Sequence, residues 1–153
     1  MAPSFFMRYV SLSIIAYYAA SFDKNNDNNT ERTTPMVNHK IKITAGSQIF
    51  KATLSNNNSA NKFRELLPLT MTMAELNGNE KYGNLPCPLT SDPSSPETIK
   101  AGDLMLYDSQ TLVVFYKTFT TAYHYTKLGS IEDAAGLEKA LGPGNVLITF
   151  EHE

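Results

Sequence analysis

Residues 38–153 of the chain predict a mostly β domain, a small closed barrel with two short helices, and three observations carry that expectation. Apolar residues alternate with polar ones in several short runs, the period-2 pattern of strands buried on one face. Turn-forming residues separate these runs at short intervals, which favours hairpins over crossover helices. Helical spacing shows in two segments, and both are short.

The elements follow in order. Lys40 to Thr44 alternates charged and apolar, Ala45-Gly46-Ser47 offers a turn, and Gln48 to Leu54 returns as the second strand of a hairpin. Asn56 to Ser59 is a cluster of capping residues. Phe63, Leu66 and Leu67 then recur at helical spacing until Pro68 stops the run. Leu69, Met71 and Met73 alternate with two threonines as a third strand. From Asn77 to Ala101 the chain is rich in Gly, Asn and Pro and reads as one long loop. Leu104 to Tyr107 and Leu112 to Tyr116 form a central hairpin, and Ala122 to Leu128 is the next strand. Ser130 to Asp133 has the spacing of a capping box, followed by a helix through Leu137 and Leu141 that ends at Gly142-Pro143. Val146, Ile148 and Phe150 alternate in the last strand. This gives about seven strands, several apolar on one face, as a barrel filled by its own side chains requires.

Composition bounds the function. The chain has 153 residues, 42% of them hydrophobic, and a net charge of −2. One domain of ordinary core content is expected. Without clustered Lys and Arg there is no footprint for nucleic acid. One cysteine, Cys87, excludes an intrachain disulfide, and no His, Cys or carboxylate cluster has metal-ligand spacing. Nothing in the sequence points to a cofactor.

The first 37 residues read differently. Arg8 precedes an apolar run of about a dozen residues, too short to span a bilayer, which ends in the small residues Ala19, Ala20 and Ser21. Residues 1–21 are therefore expected to be a signal peptide, with translation starting at Met1 or Met7. Residues 22–37, polar and Asn-rich, are expected to be a disordered tether. The order of signal, small residues and tether resembles the start of a Bacteroidetes-type lipoprotein, but Phe22 stands where the acylated Cys would be. The resemblance implies an exported, periplasmic or envelope-associated protein.

Three stretches carry a resemblance in the folded part. They are Lys40 to Ser47, Glu75 to Gly83, and Ala101 to Tyr107 taken with Phe115 to Thr118. Together they resemble the bacterial cyclophilin-like fold family, whose members are mostly of unknown function. The resemblance implies an eight-stranded type of barrel closed by short helices. It does not imply prolyl isomerase activity. That chemistry needs an arginine on the sheet face to polarise the prolyl amide. Here Arg8 and Arg32 lie before the barrel, Arg64 lies on the first helix, and there is no Gln-Gly-Gly stretch and no Trp.

Two groups of residues are candidates for binding. The aromatic group comprises Tyr107, Phe115, Tyr116, Phe119, Tyr123 and Tyr125, with Tyr123 and Tyr125 expected on one strand face and His124 on the other. It is either a core face or a groove for an apolar or aromatic ligand. The segment Asn77 to Tyr82 is either a structural turn or a binding rim. The ligand-binding candidates are Asn77, Asn79, Glu80, Tyr82, Tyr107, Tyr116, Tyr123 and Tyr125. A nucleophilic arrangement of Cys87, His124 and Asp103 has the right residue types but no motif behind it. The leading functional reading is a non-catalytic binding module for a small molecule or extended peptide. An enzyme or enzyme-accessory domain, and a structural or interaction domain of the envelope, are the alternatives.

Overall fold

The structure is a computed structural model, and it describes residues 37–153. The expected signal peptide, the choice between Met1 and Met7, Phe22 and the tether up to residue 36 lie outside the described residues.

Eight strands close an antiparallel barrel in the order β1-β10-β3-β4-β7-β6-β9-β2. The elements are β1 (Lys40–Ala45), β2 (Gln48–Leu54), α1 (Asn58–Glu65), β3 (Leu69–Leu76), β4 (Glu80–Asn84), β5 (Thr98–Ile99), β6 (Asp103–Tyr107), β7 (Thr111–Phe115), β8 (Phe119–Thr120), β9 (Thr126–Ile131), α2 (Leu137–Leu141) and β10 (Val146–His152). β5 and β8 pair outside the barrel as a two-stranded sheet. No helix among the described residues is long and apolar enough to cross a membrane.

The alternation seen in the sequence is the alternation of the barrel wall. Ile41 and Ile43 of β1, Met73 of β3, and Ile148 and Phe150 of β10 all point inward and are buried. α1 joins β2 to β3 and closes one end. Its start is fixed by Asn57, whose side chain accepts a hydrogen bond from the Ala60 amide at 2.8 Å. Phe63 of α1 meets Phe150 edge to face, with ring centroids 5.7 Å apart. α2 joins β9 to β10 and places Leu137 and Leu141 in the same core from the other end. Where β9 crosses β2 the backbones come so close that a Cβ at Gly129 would lie 2.5 Å from the Thr53 carbonyl oxygen, so this position takes glycine.

Three expectations need correction. The stretch from Asn77 to Ala101 is not one loop, because it holds β4, a full barrel strand, and β5. Asn77 (φ 55°) and Gly78 (φ 67°) make a tight turn, and the Asn79 amide donates to the Leu76 carbonyl at 3.3 Å. The strand expected at Ala122 to Leu128 starts later, at Thr126, and runs to Ile131. Residues 121–125 lie outside it and touch the sheet network through a bridge between Ser94 and Tyr125. The capping box at Ser130 does not form, because Ser130 and Ile131 complete β9 and pair with Thr53 and Ala52. Gly136, in a left-handed conformation, precedes α2 instead.

Candidate functional site

The barrel has apolar residues on part of its outer wall as well. Met105 of β6 and Val113 and Phe115 of β7 point outward and are buried with Ile99 and Tyr125. A strand covered on both faces reads as a continuous apolar run, which Leu104 to Leu106 and Leu112 to Phe115 show. The cover is the chain from Ser94 to Ile99 and from Phe119 to Tyr125. Backbone bonds staple these two segments to each other: Ser94 and Tyr125 exchange two at 3.0 Å, and the Thr121 amide donates to the Glu97 carbonyl at 2.9 Å.

Beside this cover the outer wall is left open as a cavity of about 650 Å³. The β3–β4 hairpin supplies Leu76, Asn77, Asn79, Glu80 and Tyr82. Strands β6 and β7 supply Tyr107, Thr111 and Val113, and the covering segment supplies Phe119 to Tyr123 and Tyr125. The aromatic rings are in mutual contact. Tyr107 lies 5.7 Å from Tyr125 and 6.4 Å from Tyr123, and Phe115 lies 5.5 Å from Tyr125 and 5.6 Å from Phe119, between ring centroids. These are distances at which tilted and edge-to-face rings attract.

Seven of the eight residues singled out in the sequence line this cavity: Asn77, Asn79, Glu80, Tyr82, Tyr107, Tyr123 and Tyr125. Tyr116 does not. It follows β7 on the inner register, packs in the barrel core, and donates its hydroxyl to Glu75 at 2.8 Å. Burial and that bond to Glu75 push its phenol up to about 12. Tyr123 and Tyr125 do not share a strand face, since the chain there is irregular. Tyr125 is buried and Tyr123 is 65% exposed. Phe119, Val113 and Leu76 also line the cavity. Val113 could have been found from its two-residue spacing to Phe115, and Leu76 from its place before the Asn-Gly turn.

Two carboxylates at the hairpin have opposite surroundings. Partial burial alone would raise the Glu75 carboxyl, but Lys81, the Tyr116 hydroxyl and the Gly78 amide together hold it below the usual range. Glu80 faces the cavity and is 8% exposed. Burial, and then the charge of Glu75, raise its carboxyl. Among the described residues no lysine or arginine forms an ion pair with Glu80. The Asn79 side-chain oxygen is also buried without a partner.

The nucleophilic arrangement is not assembled. Asp103 accepts from Lys127 at 2.5 Å and from the Lys100 amide at 2.9 Å, while Cys87 and His124 are exposed. No cluster of metal-ligating side chains occurs among the described residues. Arg64 lies on α1, and Lys117, just after β7, pairs with Glu138 of α2 at 3.2 Å; neither lines the cavity.

The profile of the Cyclophilin-like family matches residues 43–151. Among solved structures, the solution structure of a hypothetical protein from Archaeoglobus fulgidus superposes with a TM-score of 0.60. It is 15% identical, and the match covers 76% of this chain and 96% of that one. No curated protein sequence matches the chain. The chain belongs to the Cyclophilin-like family.

Proposed function

We propose that this member of the Cyclophilin-like family is a non-catalytic binding module that holds a small molecule or an extended peptide in the outer-wall cavity. One observation carries the reading: residues far apart in sequence converge on one concavity that is apolar and aromatic, into which the nearly buried Glu80 and Asn79, whose side-chain oxygen has no partner among the described residues, also reach. That is the common make-up of a ligand site. Family membership adds the scaffold and no chemistry, since one fold hosts many functions.

The reading is tested by screening soluble fragments against isotope-labelled protein. Amide shifts should cluster at Asn77, Asn79, Thr121 and Tyr123. Shifts confined to another face of the barrel would overturn it. The non-catalytic part is tested with a protease-coupled proline peptide, whose uncatalysed isomerisation takes tens to hundreds of seconds. Micromolar protein should leave that rate at background. Acceleration above that background would restore an enzymatic reading.

For the first 21 residues we infer export, from the short apolar run and the small residues that follow it. N-terminal sequencing of the protein expressed with its native start should show a chain shortened by about 20 residues. An intact Met1 or Met7 in the cytoplasmic fraction would overturn that.

A further inference from the structure

The chemistry of the cavity lining, taken with the reading of the cavity as a binding site, narrows what can enter. Glu80 is almost wholly buried at its edge, and no lysine or arginine among the described residues forms an ion pair with it. The nearest ammonium in sequence, Lys81, points to the opposite face of β4 and is used up there. Its nitrogen donates to Glu75 at 2.5 Å and to the Gly142 and Gly144 carbonyls at 2.7 and 2.6 Å. An ammonium has three protons to give, so none is left for Glu80. Among the described residues the Asn79 side-chain oxygen is a buried acceptor without a donor.

The rings of Tyr82, Tyr107, Phe119, Tyr123 and Tyr125 line the same cavity. Aromatic faces carry the negative part of the ring quadrupole and attract cations. An anion would meet a buried carboxylate of its own sign. A neutral ligand would seal Glu80 away from water with no compensating charge, which is unfavourable. A positive group satisfies both features at once.

We propose that the cavity takes an organic cation, an ammonium group, primary or methylated, on an apolar body, with the ammonium against Glu80 and Asn79 and the body along the tyrosine rings. A cavity of about 650 Å³ exceeds what an ammonium head fills alone, so the body makes most of the contact. Two sources present this chemistry: a free amine, and the lysine side chain of an extended peptide.

The test is titration of the isotope-labelled protein with three probes of similar size, benzyltrimethylammonium, benzyl alcohol and phenylacetate. Two extended peptides are added that differ in one lysine replaced by norleucine. The cation should shift the cavity amides and bind at least about tenfold more tightly than the other two small probes. Glu80→Gln should weaken the cation about tenfold and should not weaken benzyl alcohol, since it removes the charge a neutral ligand would seal from water. Tyr123→Ala, at an exposed ring whose removal leaves the core intact, should weaken the cation about threefold. A lysine peptide that outbinds both its norleucine twin and the small cation assigns the peptide source. A small cation that binds alone assigns the free amine. Equal binding of all three small probes in the cavity would overturn the charge preference and leave the cavity as a binding site. Shifts at the cavity from no probe at all would overturn both.

Discussion

Glu80 and Lys81 are neighbours in the chain and opposites in the fold. Both are charged, both are buried, and the pleat of β4 sends them to different faces. Lys81 goes into the barrel, opposite Val114, where every proton of its ammonium finds an acceptor and the Tyr116 ring lies 5.6 Å away. It ties the β3–β4 hairpin to the turn between α2 and β10. Glu80 goes to the outer wall, opposite Phe115, beside a cavity and with no lysine or arginine among the described residues paired to it. The lesson is that burial of a charge does not by itself separate structure from function. The partner count does: a charge with every proton paired holds the fold, and one without an ion-pair partner at a concavity is what the proposed binding role rests on.

That comparison can be broken or sharpened by stability measurements in urea. The largest effect sets the scale for the uncharged interior. Phe150→Ala, at a fully buried ring, should cost about 3–5 kcal/mol. A near-neutral result would mean that the inward face of β10 is misassigned and with it the inward direction of Lys81. Lys81→Met should cost about 3 kcal/mol, because it strands two carbonyls and Glu75. This is the lower end for a broken buried pair, since Glu75 keeps some contact with water. A loss below about 1 kcal/mol would remove the contrast between the two faces.

Glu80→Gln should move the other way, with a gain of about 0.5–2 kcal/mol at neutral pH, as when a strained site is relieved at the expense of binding. The pH dependence gives the sign independently. Glu80 is raised in the fold, so its contribution is fullest below the unfolded carboxylate value and is lost as pH rises through its folded value. Glu75 is lowered, so its contribution is present above the unfolded value and is lost as pH falls through its folded value. Glu80→Gln should therefore flatten the decline on the rising side, and Glu75→Gln the decline on the acid side. A loss of stability in Glu80→Gln at pH 7 would show that the carboxylate has a partner after all. Smallest of all, Tyr123→Ala should stay within about 0.5 kcal/mol, because its ring is mostly exposed.

Much of the barrel was legible because its rules are local. Alternation marked β1, β2, β3 and β10, the Asn-rich cap and Pro68 bounded α1, and the two-sided apolar runs marked β6 and β7. β4 reads as loop, although Asn77-Gly78 is a strong hairpin signal, because its inward positions are a lysine and a glycine and its outward positions are Glu, Tyr and Asn. The capping box at Ser130 misled for a related reason: spacing alone does not know that the same residues can complete a strand against β2.

The lining of the candidate site is half legible in the sequence. Sequence pointed to Asn77, Asn79, Glu80 and Tyr82 as one group and to the tyrosines as another, since residue type and loop position are visible in a linear chain. It could not join the groups, nor separate Tyr116 from the rest, because the two are brought together by strand pairing between β4 and β7 and by the stapling of residues 94–99 to 119–125. What sequence determined alone was the supply of strands, turns and candidate side chains, all set by interactions within a few residues. What tertiary structure decided was which buried charge is satisfied. The acceptors that use up Lys81 include carbonyls 61 and 63 positions further along, and no local pattern can report a partner at that distance.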